Sequence, residues 1–438
     1  MLFGTSGIRD HYGTKITPQL AMGIANAFAS FNEDVAVASD LRETSELLRH
    51  AAMSGIVSRG ANAIDLGCVP TPTLALFTQT RKIRGIMITA SHNPSEYNGL
   101  KLYKNGREIS KNEEEAVEKK YEKGMELAKW DEVGKVKKCG NAICEHIELV
   151  KKSVDSGAIK RAKIKVVLDC NGVGSVITPR LLSELGCTVI SMNSAGLGFY
   201  RPSEPNAENL SELGKMVRGC NAQLGIGHDG DADRAIILDE NGEMLGLDVQ
   251  FAIAIEHELM HRKGIVVNTV EASLLVKETI EKNGGKSVQV AVGSTNVSEE
   301  MEGKGAVFGG EPAGEYIFKG GVNTPDGMMV AAKFLEIFAE QGSLAKLRKK
   351  YKTYPILREK FKCTDRKKAM EKIMKILSLG GKRNTIDGLR EDFHDGFVLV
   401  RPSGTEHIIR LTAEFLEGKR LEEMAGKARE AIKGAIGS

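Results

Sequence analysis

The sequence has almost no net charge to offer a partner. Its 61 Lys and Arg stand against 58 Asp and Glu, leaving +3 over 438 residues. No global field therefore recruits nucleic acid or a membrane surface, and basic residues matter only locally. No run reaches 18 apolar residues, so no membrane-spanning helix is expected. The first residues, Met1-Leu-Phe-Gly-Thr-Ser-Gly-Ile-Arg-Asp10, lack a basic stretch followed by an apolar one. A soluble, cytoplasmic chain is the expectation. Seven scattered cysteines, an odd number, suit reduced thiols rather than a disulfide framework. Cys139 and Cys144 near His146 raise zinc, but their spacing fits no common site and no fourth ligand is near. No full Gly-x-x-x-x-Gly-Lys-Ser/Thr Walker loop occurs and no Gly-x-Gly-x-x-Gly opens a helix, so no organic cofactor is expected.

What is present is concentrated in a few short segments. Asp229-Gly230-Asp231-Ala232-Asp233-Arg234 puts three carboxylates and a guanidinium on one short turn. Side chains at i, i+2 and i+4 of a tight loop can converge on one hard cation, and carboxylate oxygens suit Mg²⁺ or Ca²⁺. Arg234 would repel a naked cation; it makes sense beside an anion such as phosphate. Glu240, twelfth from Asp229, gives an EF-hand-like spacing, yet the sixth position is Arg234 instead of Gly, and the flanks read as strands. An unliganded acidic turn is the third reading.

Three more segments follow apolar strands. After Gly85-Ile-Met-Ile88 comes Thr89-Ala-Ser-His-Asn-Pro94, where Ser91 at a strand's carboxyl end can stand exposed as a nucleophile or phosphate carrier. Ser and Asn are also ordinary turn residues, and adjacency does not make His92 the base of Ser91. After Phe397-Val-Leu-Val400 comes Arg401-Pro-Ser-Gly-Thr-Glu406, whose hydroxyls, Gly and Arg can form a phosphate cradle; a surface salt bridge is the other reading of Arg401. After Ala306-Val-Phe308, Gly309-Gly-Glu-Pro-Ala-Gly-Glu315 sets Glu311 in a Gly-rich turn. That carboxylate can accept hydrogen bonds from sugar hydroxyls, or the segment is simply a turn.

The length predicts two to four domains. A strand–helix–Gly–strand unit recurs three times: from Val35 to Asp65, from Lys165 to Ile190 with Thr178 as N-cap and Pro179 at N1, and from Gly264 to Val290 with a helix from Ser273 to Lys282. This is βαβ logic and predicts α/β domains with mainly parallel sheets. The tail differs: a strand near 356–363, a helix over 366–377, two strands around Arg401 and a closing helix over 421–436 predict a smaller α+β domain. Polar or Gly-containing joints place the domains at 1–137, 138–242, 243–351 and 352–438.

In this order along the chain, Phe3-Gly-Thr-Ser-Gly-Ile-Arg9, the Ser91 loop, Asn98-Gly-Leu-Lys101, Glu204-Pro-Asn206 with Glu208-Asn-Leu210, the Asp-rich loop, the Gly-Glu-Pro turn and the Arg401 loop resemble the α-D-phosphohexomutase family. The resemblance covers essentially the whole chain. It implies four domains around a central cleft, and exchange between a hexose 6-phosphate and a hexose 1-phosphate through a phosphoserine and a hexose 1,6-bisphosphate. By motif match, Ser91 carries the phosphoryl group and, with Asp229, Asp231 and Asp233, holds one Mg²⁺. Arg9 and Arg234 neutralise charge, while Lys101 and His92 are candidates for proton transfer. A Lys acting as base needs its pKa lowered, which Mg²⁺ and the arginines can do. Glu311 and Ala313 would meet the sugar; Arg401, Ser403, Gly404, Thr405 and Arg410 would hold its non-reacting phosphate. The implied partners are a small-molecule sugar phosphate and a hexose 1,6-bisphosphate activator, with no nucleic acid or membrane, in a monomer or homodimer.

The Gly-Gly-Glu-Pro-x-Gly-x-aromatic-Ile-Phe pattern looks most like archaeal-type phosphoglucosamine mutases, favouring glucosamine phosphate over glucose or mannose phosphate. Ala313 removes a hydroxyl and Glu315 adds a carboxylate relative to the Glu-x-Ser-Gly-His of other members. Ala38-Ser39-Asp40 stands where the family has Gly-Arg-Asp, so an arginine is missing there, and Val292-Gly-Ser-Thr295 replaces Val-Gly-Asp. Two readings from other classes are a metal-dependent phosphatase on the same Ser91 and Asp cluster, and a non-catalytic sugar-phosphate sensor. A sensor has no need for both a phosphoryl carrier and its metal.

Overall fold

Alternating small and branched residues in the strand Asp34–Ser39 decide how the first sheet is covered. Val35 and Val37 pack with Ile24, Leu48 and Ile56 on one face, while Ala36 and Ala38 meet Leu74, Phe77 and Tyr103 on the other. Side chains on a strand alternate between faces, and a parallel strand buried on both reads as a continuous apolar run. The computed structural model describes residues 2–4, 6–196, 198–404 and 407–436. Within it the chain forms two compact units, one of residues 1–250 and 313–348, the other of residues 251–312 and 349–438.

In the first unit, the strands Asp34–Ser39 and Asn62–Cys68 pair in parallel through the helix Ser45–Ser58. Arg84–Ile88 runs parallel on the other side of Asp34–Ser39, so Asp40 and Thr89 leave neighbouring carboxyl ends. Tyr97–Lys104 and Ile8–His11 extend the sheet antiparallel, bringing Lys101 and Arg9 to the same edge of the fold. A second sheet has the order Ala235–Leu238, Leu224–His228, Lys165–Asp169, Thr188–Met192. Its first pair is antiparallel, and the Asp-rich loop is the short connection between those two strands. The helix Gly327–Gln341 belongs to this unit, with Asp326 capping Met328 N and Met329 N.

The helix Thr178–Glu184 corrects one expectation. Thr178 is its first residue, not its N-cap, and Ile177 holds the cap position without a side-chain bond. The Thr178 hydroxyl is engaged elsewhere, 3.1 Å from His228 Nε2.

In the second unit, Lys286–Val290, Ile265–Thr269 and Phe308–Glu311 form a parallel array, the first two joined by the helix Leu274–Lys282. Glu311 therefore closes a strand and does not sit within the turn. Glycine makes this possible: a Cβ on Gly309 would stand 2.5 Å from Met301 Sδ and 3.0 Å from Val267 O. The C-terminal sheet is wholly antiparallel, in the order Ile356–Lys362, Ile408–Phe415, Gly396–Pro402, Leu389–Asp392, Lys382–Asn384. The helices Arg366–Ile376 and Gly418–Ile436 bury one face of it around Val398, Val400, Ile409 and Leu411. The architecture is α/β with mainly parallel mixed sheets and a C-terminal α+β region.

Among the described residues no helix is long and apolar enough to cross a membrane. All seven cysteines are free. His146 is buried between Thr73 Oγ1 at 2.8 Å and Asp326 Oδ2 at 2.9 Å, so both ring nitrogens are occupied without metal.

Candidate active site

The six-residue turn between Leu224–His228 and Ala235–Leu238 folds its carboxylates together. Ligand oxygens of Asp229, Asp231 and Asp233 all lie within 4.8 Å of one another, and all three residues are buried. Ala232 in the left-handed region (φ 56°) bends the turn. Gly230 permits its approach to the Ser91 loop: a Cβ there would stand 2.8 Å from Ser91 O and 2.6 Å from the Phe199 ring. Glu240 is not part of this group. Its carboxylate bonds Ser343 Oγ and Ala345 N, so no EF-hand loop forms.

Ser91 meets this cluster directly, its hydroxyl donating to Asp229 Oδ2 at 2.9 Å. The serine backbone is left-handed (φ 51°), a conformation costing of order 1–3 kcal/mol for a non-glycine residue. Its surroundings over-determine it. Ser91 N donates to Thr89 Oγ1 at 2.9 Å, and Thr89 Oγ1 donates to Asp40 Oδ2 at 2.7 Å. Ser91 O accepts from Ser203 Oγ at 2.8 Å, and Ser203 Oγ accepts from Gly230 N at 3.0 Å, tying the two loops together.

The chief brace is Arg42, a residue the motif reading overlooked. Its Nε donates to Asp40 Oδ2 at 3.0 Å, Nη2 to Ser91 O and Asn93 O at 2.7 and 2.9 Å, and Nη1 to Pro94 O and Tyr97 O at 2.5 and 3.0 Å. The pair with Asp40 is fully buried. Thr71 was also missed; its hydroxyl donates to Asp231 Oδ2 at 2.6 Å.

Four charged side chains face the carboxylates. Lys101 Nζ donates to Asp231 Oδ2 at 2.8 Å and Asp233 Oδ2 at 2.9 Å. Burial pulls the Lys101 ammonium down, but the two carboxylates outweigh it and hold its pKa well above the usual value. Burial likewise pushes Asp231 up, and Lys101, with Thr71 and Arg9, more than reverses that, keeping it ionised. Asp229 is driven well up by burial and by its two acidic neighbours. Arg234 lies 3.8 Å from Asp229 Oδ2 and forms an ion pair with Glu315. Glu315 is buried, and burial ahead of the opposing Arg234 charge raises its pKa. Arg9 Nη2 donates to Ser6 Oγ at 3.0 Å, while its buried Nε has no hydrogen-bond partner among the described residues. The positive charge of Arg234 first, then burial and Arg9, hold His92 well below its usual pKa, so its imidazole is neutral at pH 7.

Two observations fit this group to a hard cation. Asp231 Oδ1 and Asp233 Oδ1 are buried acceptors with no hydrogen-bond partner among the described residues, and buried acceptors left unpaired are rare. The donor set is all carboxylate and hydroxyl oxygen, the chemistry of Mg²⁺ sites.

The second unit carries the other predicted residues. Arg401 Nε donates to Glu271 Oε1 at 2.7 Å, and its Nη1 lies 3.9 Å from Asp387 Oδ2. Asp387 also accepts from Val292 N at 3.1 Å. Glu311 Oε1 accepts from Gly293 N at 2.7 Å. Arg410 stands directly opposite Arg401 in the antiparallel ladder, a like-charge pairing that an anion would relieve. Ser403 is buried, with its N–H on Ile408 O at 3.0 Å and its carbonyl taken by Arg366. Gly404 is exposed, and Thr405 lies outside the described residues. Ala313 is half-buried at the start of the segment that returns to the first unit. Glu271 and Asp387 had no motif to mark them, since they matter only through Arg401.

Comparison with known proteins adds the following. Models of the phosphoglucomutase/phosphomannomutase family match four consecutive stretches: α/β/α domain I over residues 1–128, domain II over 144–242, domain III over 248–354 and the C-terminal domain over 359–431. A Methanosarcina acetivorans protein named "Probable phosphoglucosamine mutase" is 40% identical over 442 residues, covering 99% of this chain and 99% of that one. A Pyrococcus abyssi protein of the same name is 38% identical, covering 99% and 98%. In fold, a Burkholderia thailandensis phosphoglucomutase/phosphomannomutase family protein superposes with a TM-score of 0.87 at 24% identity, covering 99% of this chain and 97% of that one. The Aspergillus fumigatus N-acetylphosphoglucosamine mutase, solved with GlcNAc-6P and magnesium, gives 0.64 at 16% identity, covering 100% and 96%.

Proposed function

The chain belongs to the phosphoglucomutase/phosphomannomutase family, and on that premise we propose that it interconverts glucosamine 6-phosphate and glucosamine 1-phosphate through a phosphoserine at Ser91. The observation that carries this is the Ser91 hydroxyl, 2.9 Å from Asp229 Oδ2 on a loop held in a left-handed conformation beside three buried carboxylates. The relatives named phosphoglucosamine mutase support the choice of sugar.

In the first half-reaction the phosphorus–oxygen bond to Ser91 breaks, and one forms to the free sugar hydroxyl, whose proton passes to a base. The resulting hexose 1,6-bisphosphate turns over, its other phosphoryl group returns to Ser91, and the new hydroxyl takes back a proton. Phosphoryl transfer asks the protein chiefly for position and positive charge. Arg9 and Arg234 supply that charge. His92, held neutral by that same charge, is a weak proton acceptor. Lys101 gains it only on leaving Asp231 and Asp233, the two carboxylates that hold it protonated. Asp229, Asp231, Asp233 and the Ser91 oxygen would hold one Mg²⁺, which when bound neutralises phosphate charge. Glu311 and Ala313 would contact the sugar, and Arg401, Ser403, Gly404, Thr405 and Arg410 its other phosphate. Glu271 and Asp387 would hold the Arg401 fork ready until substrate displaces them.

³¹P NMR of the protein with Mg²⁺ and a trace of hexose 1,6-bisphosphate tests this, offering glucosamine 6-phosphate, glucose 1-phosphate and mannose 1-phosphate separately. Interconversion fastest with glucosamine phosphate and absent in Ser91→Ala is the expected result. A faster glucose or mannose tube would overturn the sugar assignment, and inorganic phosphate alone would mean a phosphatase.

A further inference from the structure

The helix Leu247–His261 ends on two imidazoles one turn apart, His257 and His261. Residues at i and i+4 lie side by side on a helix. Here the two Nε2 atoms face each other at 3.3 Å, with ring centroids 4.7 Å apart and planes at 66°. His257 is buried and His261 exposed, so the pair joins a fixed ring to an accessible one.

That spacing has a chemical meaning. A Zn²⁺–imidazole bond of about 2.0–2.1 Å at the tetrahedral angle sets two ligand nitrogens about 3.3–3.4 Å apart. The far nitrogen of His257, Nδ1, lies 3.6 Å from Glu258 Oε1. At that distance the carboxylate sets negative charge beside the ring without hydrogen-bonding it. We propose that His257 and His261 form a bidentate site for a divalent transition-metal cation of the Zn²⁺ class, separate from the aspartate loop. Ligand type would sort the ions: imidazole nitrogen suits Zn²⁺, while the carboxylates suit Mg²⁺. The chelate closes the last turn of the helix before the chain enters the strand Ile265–Thr269. A cation bound there stabilises the folded chain by mass action.

Isothermal titration of the full chain with Zn²⁺, in excess Mg²⁺, tests the site against His261→Ala, an exposed position at the helix end where truncation leaves the fold intact. Wild type should bind one Zn²⁺ that the variant binds at least tenfold more weakly, and Zn²⁺ should raise Tm in wild type alone. Zinc K-edge absorption should show two imidazoles in wild type. Mg²⁺-dependent activity should be the same in both proteins. Equal Zn²⁺ affinity in His261→Ala, or a wild-type spectrum dominated by sulfur or carboxylate, would overturn the proposal; a bare hydrogen bond between the rings would give no Zn²⁺ uptake.

Discussion

The Ser91 region of the first unit, proposed to carry the nucleophile, and the Arg401 region of the second hold their charges in different ways. Both hold charges that need an ionic ligand, and both pre-pair those charges with opposite ones. Around Ser91 the bracing is multiple: Arg42 alone spans Asp40 and four carbonyl oxygens, and Thr89, Ser203 and Thr71 each add a bond. Around Arg401 the described residues show Glu271, a longer approach to Asp387, and on Ser403 a backbone bond to Ile408 O and one from Arg366 to its carbonyl. On the proposed roles, misplacing the Ser91 oxygen costs catalysis steeply, whereas misplacing a phosphate subsite costs binding energy.

Four variants would break or sharpen that contrast. Asp231→Asn should cut kcat about 10³-fold, on the scale of several kcal/mol that a metal clamp contributes. Near-normal turnover at saturating Mg²⁺ would sink the metal assignment. Arg42→Ala should destabilise the first unit by about 3–5 kcal/mol by stranding a buried carboxylate, measured by urea denaturation. Arg42→Lys should recover little, since one ammonium cannot reproduce a planar fork. In the second unit, Arg401→Ala should raise KM for the sugar phosphate about 10- to 100-fold, the worth of a charged hydrogen bond. The Ser91 phosphate seen by ³¹P NMR should be unaffected, and an unchanged KM would count against the subsite.

The smallest effect concerns pH. Burial pushes the Glu114 carboxyl up from 4.5 to about 7, against the opposing pull of Lys111. Its folded form therefore binds a proton more tightly than its unfolded form, so its contribution to stability is complete below pH 4.5 and lost as pH rises through about 7. Glu114→Gln should match the parent near pH 4 and be the more stable above pH 7, as thermal melts at both pH values would register. Parallel melting curves across that range would remove Glu114 as the cause.

Much of the layout was legible because it is local. The three βαβ units follow from apolar runs, a helical period and a glycine before the return strand, and each pairs in parallel. The Asp-rich loop announces itself because three carboxylates at spacing two cannot avoid one another. Expectation and structure part where a side chain's partner is distant in sequence. Thr178 was given to its own helix as a cap, but His228 claims its hydroxyl. Glu311 was given to a turn, but strand pairing with Val266 to Asn268 extends to its doorstep. Glu315 had no role until Arg234, eighty-one positions earlier, was found against it.

The sequence by itself determined the four-part α/β organisation, the family motifs and the types of residue that would do the chemistry, since these rest on periodicity and short spacing. Tertiary structure alone decided which charges neutralise one another. Arg42, Thr71 and Ser203 became part of the Ser91 neighbourhood, and Lys101 was fixed across two aspartates 130 and 132 residues away. Electrostatic and hydrogen-bond energies depend on distance and burial, and neither is written in the order of residues along the chain.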